Sequence, residues 1–158
     1  MTWKQTSEPS GAGDPALIRA KALELLARRE HTRLELRQKL YQRGFAANHI
    51  ELVLDQLVEE RLLDEARFAE LYAGARADKG YGPLRVAREL RERGVAEDVV
   101  AATLAALDGD WLPKLRELHR KRFESQIPAD VAGRLQQTRV FRQHGFTLDQ
   151  IKHLYETA

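Results

Sequence analysis

The sequence predicts an all-α protein made of three tandem three-helix repeats that form an elongated, curved array. Alternation of apolar and polar residues, as strands would require, is missing, while the helix-favouring residues Ala, Leu, Glu and Arg dominate. The segment 36–57 also matches the segment 86–107 without a gap at a constant offset of 50 residues, and a third, more diverged copy follows 51 residues later. Units that stack in this way present a long face suited to lying along another polymer.

The repeats divide the chain into four predicted segments. Residues 1–15 are rich in Ser, Thr, Gly and Pro without periodic apolar positions, and they are predicted to be a disordered N-terminal tail. Three-helix repeats are then expected at 16–63, 64–107 and 108–158. A unit of about 48 residues is near the lower size limit for independent stability, so we expect each repeat to cover apolar surface on its neighbour.

The first repeat carries the clearest helix signals. Its first helix is predicted from about Ala16 to Arg29, and its second helix begins after Thr32, which forms a capping-box pattern with Glu35. Gly44 ends this second helix, because glycine tolerates the left-handed conformation found at helix ends. A one-sided apolar stripe at helical spacing predicts the third helix: Ile50, Val53, Leu54 and Leu57.

The second and third repeats follow the same plan. Asp64 is the predicted cap of the fourth helix, the Gly-Pro pair at 82–83 opens the fifth, and Gly94 ends it. Thr147 begins another capping box in the third repeat. The residues predicted to face inward from the fourth helix are Phe68, Leu71, Tyr72 and Ala75.

Composition and motif spacing exclude several classes of function. The chain has no cysteine, so disulfides and thiolate chemistry are absent, and its apolar runs are far shorter than the roughly 18 residues of a membrane span. A cytoplasmic protein is therefore expected. Five histidines lack metal-site spacing, and no catalytic triad, carboxylate pair or phosphate loop can be assembled. We expect no enzyme activity, cofactor or metal.

The most specific string lies in the second repeat. It reads LLDEARFA at 62–69, continues with Tyr72 and Arg76, and ends in KGYGP at 79–83. This string resembles the central repeat of the RecX family of bacterial regulatory proteins, whose pattern is LD-D-x-RFA-x-x-Y-x-x-x-R-x-x-x-G. Glu65 stands where the family usually has Asp, which keeps the charge. The resemblance extends over all three repeats.

The resemblance implies both a fold and a function. The implied fold is a set of tandem three-helix repeats. The implied function is negative regulation of the RecA recombinase by a protein that lies in the groove of the RecA filament on single-stranded DNA. Recombinase, ATPase and co-protease activities would then be inhibited, which links the protein to DNA repair, homologous recombination and the SOS response. The expected partners are RecA and its nucleoprotein filament, bound by a monomer. The net charge of +2 agrees with a protein partner that carries the DNA.

Polar residues of the second repeat are the predicted partner-binding site. They are Arg67, Arg76, Lys79, Tyr81, Arg85, Arg88 and Arg91. Each has an alternative interpretation. Arg67 follows a helix cap, where a cation opposes the helix dipole, so it forms either a salt bridge between repeats or a partner contact.

Two further alternatives stay open in this repeat. The three arginines of the fifth helix either pair with Glu89 and Glu92 on a solvated face or bind the partner. Tyr81 either packs on its own repeat at a helix start or is an exposed aromatic that anchors an interface.

The densest basic clusters lie in the two terminal repeats. Their members are the candidate DNA or phosphate contacts: Arg28, Arg29, Arg120, Lys121 and Arg122. Solvated helix ends are the alternative interpretation, and weak binding of single- or double-stranded DNA is the functional one. These clusters support an alternative function, in which the chain is a direct DNA-binding protein of tandem helix-turn-helix-like units.

Overall fold

The computed structural model describes residues 13–158, and this part of the chain is helical throughout, with no strand. The first three helices are α1 Pro15–Arg28, α2 Arg33–Gln42 and α3 Ala47–Glu59. The next three are α4 Glu65–Asp78, α5 Pro83–Glu92 and α6 Glu97–Ala106. A single turn of 3₁₀ helix at Asp108–Asp110 precedes α7 Trp111–Phe123, α8 Val131–Gln143 and α9 Leu148–Glu156. The predicted all-α class with tandem three-helix repeats is confirmed.

The start of α1 lies slightly before its predicted position. The Asp14 side chain accepts a hydrogen bond from the backbone N–H of Ala16 at 2.9 Å, and Pro15 is the first helical residue. Proline suits this place because the first helical N–H has no partner within the helix. Most of the predicted tail, residues 1–12, lies outside the described residues.

The predicted helix caps are present. Thr32 and Glu35 form a reciprocal capping box at the start of α2, and Thr147 and Gln150 form another at the start of α9. Asp64 accepts from the backbone N–H of the third residue of α4 at 3.0 Å. Three glycines with positive φ follow α2, α5 and α8: Gly44, Gly94 and Gly145. Side-chain caps and left-handed glycines therefore set many of the helix ends.

The described residues fall into two compact units, and the first ends at Phe68. Its core is formed by one face each of α1, α2 and α3, with Leu63 from the connection to α4. The buried side chains of this core are Ile18, Ala22, Leu25, Leu36, Leu40, Ile50, Val53, Leu54, Leu57 and Leu63. The stripe predicted for the third helix is therefore buried as expected.

The second unit begins at Ala69 and includes most of α4. On that helix the predicted inward face is wrong at two positions, since Leu71 is 59% exposed and Ala75 is exposed as well. The structure buries alanines there instead: Ala69, Ala73 and Ala77. The apolar pattern favours Leu71, because leucine is more apolar than alanine. In the structure the buried face of α4 is rotated by about one residue from the predicted face, toward the alanines.

The other buried side chains of the second unit come from α5 to α9. The largest are Leu90, Trp111, Leu115, Phe141, Phe146, Ile151 and Leu154. Trp111 begins α7 and is only 3% exposed, so it packs in the core directly after the 3₁₀ turn. Among residues 13–158, no helix combines the length and the apolarity needed to cross a membrane.

Candidate interaction site of the second unit

Two glycine corners, which are the turns of the chain at Gly82 and at Gly145, lie in contact in the second unit. The backbone N–H of Gly82 donates to the carbonyl of His144 at 2.7 Å, and the N–H of Leu84 donates to the carbonyl of Gly145 at 2.9 Å. A Cβ on Gly82 would lie 2.5 Å from the carbonyl carbon of Gly145, and one on Gly145 would lie 2.6 Å from the Arg85 backbone nitrogen. Only glycine fits at both corners, and the first N–H groups of α5 gain partners that its own helix cannot supply.

Tyr81 lies directly beside these corners and is half-buried. Its ring stacks on the His144 imidazole with 5.4 Å between centroids, and the guanidinium carbons of Arg76 and Arg85 lie 3.9 Å and 4.3 Å from the Tyr81 centroid. These distances are those of cation–π contacts. Tyr81 thus packs on its own repeat, as one prediction had it, and on the third repeat too.

Glu89 is the centre of the polar network beneath the tyrosine. It is only 8% exposed, and its carboxylate accepts from the Tyr72 hydroxyl at 2.9 Å and from Arg76 at 2.7 and 2.8 Å. Arg85 donates to the same carboxylate at 3.3 Å and to the carbonyl of Gln143 at 3.3 Å. The hydroxyl of the half-buried Tyr72 is therefore satisfied by a charged acceptor.

The network keeps Glu89 ionised despite its burial. Burial opposes the charged carboxylate, but the hydrogen bonds from the two arginines and the tyrosine outweigh it and lower the pKa of Glu89. The pKa of the Tyr72 hydroxyl is raised, first by its own burial and then by its bond to Glu89. A buried charge with this many donors fixes the geometry of the helices that carry them.

Two of the predicted site residues are exposed on the same helix, α5. Arg88 pairs with Glu92 at 3.7 Å, and Arg91 pairs with Glu97 at 2.5 Å. Their side chains are 63% and 52% exposed. Exposed pairs of this kind contribute little to stability, so both guanidinium groups can exchange their present partner for another at little cost.

Arg67 lies in the first unit, at the start of α4. Its guanidinium group donates to both carboxylate oxygens of Glu30 at 2.5 and 3.3 Å, and it lies 3.8 Å from Asp64. The salt-bridge interpretation of Arg67 thus describes its place in the structure. Its cation is held by carboxylates that offset the unfavourable helix dipole.

The first basic cluster lies at the end of α1. Arg28 is 3.6 Å from Glu24 and its side chain is 73% exposed, while Arg29 binds Glu35 at 2.9 Å. These pairings fit solvated helix ends. A role of the two arginines in contacting DNA stays a prediction.

The second basic cluster lies at the end of α7, where the structure brings it next to Lys79. Arg120 binds Glu117 at 2.6 Å, and Lys121 lies 3.8 Å from the same carboxylate. Among the residues described, Arg122 and Lys79 are exposed and have no ion pair. Lys79 and Lys121 line one cleft, which unites a predicted partner contact with a predicted phosphate contact.

The sequence did not identify Glu89 or His144 as parts of a site. The sequence pattern predicts Glu89 only as a surface partner of an arginine four residues away, although it lies next to three buried apolar positions of α5. That placement was the available signal, because a charged residue on a buried face requires compensation. His144 offered no signal, since it reaches Tyr81 only through the folded chain.

The described part of the chain contains no group of three or more His, Asp or Glu side chains arranged to hold a metal ion. Its buried histidines bond to the chain itself: the His31 Nδ1 lies 2.9 Å from the carbonyl of Arg29, and the His119 Nε2 lies 2.9 Å from that of Gln126. The fold and the site together define a class, that of helical repeat proteins with a polar, arginine-rich surface.

Family models narrow this class. The model described as the first three-helix domain of RecX matches residues 19–57, and that of the second three-helix domain matches residues 64–104. A regulatory protein RecX of Halorhodospira halophila is 46% identical over 143 residues, covering 90% of this chain and 88% of that protein. The regulatory protein RecX of Pseudomonas syringae pv. tomato is 42% identical over 146 residues, covering 92% and 94%. The chain belongs to the RecX family of regulatory proteins.

Solved structures agree on the fold. The crystal structure of RecX from Lactobacillus salivarius has a TM-score of 0.79 at 20% identity, covering 92% of this chain and 97% of that chain. A second crystal structure of a regulatory protein RecX has a TM-score of 0.69 at 20% identity, covering 89% and 74%. At this identity the likeness concerns the fold alone.

Proposed function

We propose that this protein is a negative regulator of the RecA recombinase. It binds in the groove of the RecA filament on single-stranded DNA and inhibits the recombinase, ATPase and co-protease activities of RecA. The observation that carries the proposal is membership of the RecX family, with relatives at 42% and 46% identity along about nine tenths of the chain. The protein acts by binding, as a cytoplasmic monomer, and its setting is DNA repair by homologous recombination and the SOS response.

The second unit supplies a surface suited to such binding. Arg76 and Arg85 form ion pairs with Glu89 and cation–π contacts with Tyr81, so their side chains are fixed in place next to the exposed face of α5. The exposed arginines of α5 then meet the partner: Arg88 and Arg91. Arginine is favoured at protein interfaces because its planar group forms paired hydrogen bonds with carboxylates. We therefore expect acidic side chains on the partner.

The proposal is tested by the ATPase activity of RecA on single-stranded DNA while this protein is titrated in. The affinity of the protein for the same DNA without RecA is measured beside it at two salt concentrations. We expect inhibition at protein concentrations that leave most of the DNA unbound, because the target is the filament. Full ATPase activity under those conditions would contradict the proposal.

The same experiment tests direct DNA binding, which one observation favours. Helix α7 carries five Lys or Arg residues and a single acidic residue, Glu117. If direct binding were the function, inhibition would follow the DNA-binding curve and weaken steeply with salt, because each phosphate contact releases counterions. Inhibition that changes little with salt would favour RecA as the target.

A further inference from the structure

A small basic cleft lies in the second unit between the end of α4 and one face of α7. Lys114, Leu118 and Lys121 follow each other at helical spacing on α7, and Lys79 follows α4. The chain turns at Gly80 with a φ of +91°, and a Cβ at Gly80 would lie 3.7 Å from a methyl carbon of Leu118. Because Gly80 lies against Leu118, the neighbouring Lys79 lines the same cleft as Lys114 and Lys121.

The ammonium groups of the cleft are incompletely neutralised. Lys114 binds Asp78 at 2.7 Å, so its charge is compensated. In the described part of the chain, Lys121 has only Glu117 as an ion-pair partner, at 3.8 Å, and both oxygens of that carboxylate already accept hydrogen bonds from Arg120 at 2.6 and 3.0 Å. Lys79 has no ion pair within residues 13–158. Two lysines of the cleft are therefore available to an anion.

Helix dipoles explain only part of this arrangement. A cation after α4 or in the last turn of α7 is favoured by the negative end of a helix, which accounts for Lys79 and Lys121. Lys114 lies near the start of α7, where the dipole disfavours a cation. Its ion pair with Asp78 offsets that cost, so Lys79 and Lys121 are the two lysines of the cleft whose charges are left for a ligand.

The size of the cleft limits its ligand. Its volume is about 70 Å³, whereas pockets for drug-sized molecules have volumes of about 300–1,000 Å³. It admits one small anionic group and no whole nucleotide. Lysine binds phosphate as a compact point charge without the fixed geometry that arginine demands.

We infer that this cleft binds single phosphate groups, and that its ligand is a phosphate of the single-stranded DNA backbone. Lys79 and Lys121 hold the phosphate oxygens, and Lys114 adds to the positive field while it stays paired with Asp78. The inference rests on the proposed function for its setting, since the RecA filament supplies the DNA. It assigns that filament a second contact, distinct from the arginines of α5.

The test compares the double variant Lys79→Ala, Lys121→Ala with Lys152→Ala. Lys152 is a matched control, because it is an exposed lysine of the same unit and lies 3.9 Å from Glu156. Binding of a labelled oligothymidylate is measured by fluorescence anisotropy without RecA over a series of salt concentrations. We expect the slope of log K against log salt to become shallower by about 1.4 in the double variant, from about 0.7 for each lost contact with a single strand.

Amide resonances of Gly80 and Lys121 separate the two sources of phosphate. If they shift further with the oligonucleotide than with inorganic phosphate at equal ionic strength, the DNA backbone is the ligand. Shifts with inorganic phosphate as strong as those with the oligonucleotide would support the phosphate site but overturn its assignment to DNA. Equal affinities and slopes for the double variant and Lys152→Ala would overturn the inference, and the RecA proposal would stand unaffected because no RecA is present.

Discussion

The second helices of the first two repeats begin 50 residues apart and are stabilised in different ways. At the start of α2, Thr32 and Glu35 form a capping box, so the helix start is satisfied by its own side chains. At the start of α5, Gly82 has no side chain, and the donor groups find the carbonyls of His144 and Gly145 instead. One start is self-contained, whereas the other depends on a corner of the chain about 60 residues away.

The charges at these two starts are also reversed. The first unit has Glu35 and Lys39 four residues apart, and the second has Arg85 and Glu89 at the matching positions. Lys39 is 2.9 Å from the Nε2 of His31, whereas Glu89 accepts from two arginines and a tyrosine. The same backbone plan thus tolerates opposite charges, provided that each charge finds its own partners.

The largest expected effect is at the glycine corner. Gly145→Ala places a Cβ against the backbone of Arg85 and separates two backbone hydrogen bonds, in addition to left-handed strain. We expect a loss of about 3–4 kcal/mol in the free energy of unfolding, from about 1–2 for the strain and about 1 for each bond. The measurement is urea unfolding followed by circular dichroism.

Gly44→Ala is the matched control for this substitution. Gly44 also has a positive φ, of +86°, but a Cβ there would meet nothing within 4 Å. We expect it to lose only the strain, about 1–2 kcal/mol. Equal losses for the two glycines would contradict the contact between the corners.

The second largest effect is expected at Glu89, and it is compared with the effect at Lys39, which occupies the matching position of the first unit. Glu89→Ala leaves two half-buried arginines and the Tyr72 hydroxyl without their acceptor, and we expect a loss of about 2–3 kcal/mol in the free energy of unfolding. Lys39→Ala removes a single bond to His31 and is expected to cost about 1 kcal/mol or less. If Lys39→Ala proved the more costly of the two in urea unfolding, the contrast would be wrong.

A smaller effect is expected at the self-contained start. Thr32→Ala removes the acceptor of the N–H of Glu35, at 3.1 Å, and is expected to cost about 1 kcal/mol. Thr32→Ser keeps the hydroxyl and should restore most of the stability. Urea unfolding of both variants checks this, and a neutral Thr32→Ala would mean that the capping box does not stabilise α2.

The smallest effect is a dependence on pH through His31. Burial lowers the pKa of His31, and the nearby charges of Arg29 and Lys39 lower it further, so the folded chain binds a proton at this ring more weakly than the unfolded chain. Stability is therefore fully present above the ordinary pKa of 6.5 and is lost as the pH falls below it. We expect the free energy of unfolding to decrease between about pH 7.5 and about pH 5.5.

The control for this effect is another histidine of the first unit. His31→Asn should flatten the decrease, whereas His49→Asn should retain it. A decrease of the same size in both variants would assign the pH dependence to other groups.

Local features of the fold could be predicted from the sequence. Capping boxes at Thr32 and Thr147 and the left-handed position of Gly44 depend on residues within a few positions of each other, so their patterns are visible along the chain. The self-similarity at an offset of 50 residues then places the equivalent helices of the second repeat. Periodicity was less reliable on α4, where alanines replaced Leu71 in the buried face.

The candidate site could be predicted only in part. Arg76, Tyr81 and Arg85 were identified by their residue types, but their mutual contacts were not. Tyr81 also stacks on His144, which lies 63 positions later in the sequence, and no local pattern predicts that contact. Burial of Glu89 also depends on how the helices pack, which spacing along a single helix does not reveal.

The exposed arginines of α5 are the proposed contact through which the protein inhibits RecA, and the inhibition curve of a double variant tests this proposal. Arg88→Glu, Arg91→Glu removes two side chains whose pairs lie on the surface, so the urea midpoint should change little. Lys152→Glu is the control, because that lysine is also exposed and lies four residues from a glutamate. We expect that at least about tenfold more of the double variant than of the control is needed to inhibit the DNA-dependent ATPase of RecA, as loss of about 1.4 kcal/mol of binding would require. Superimposable curves for the two variants would contradict it.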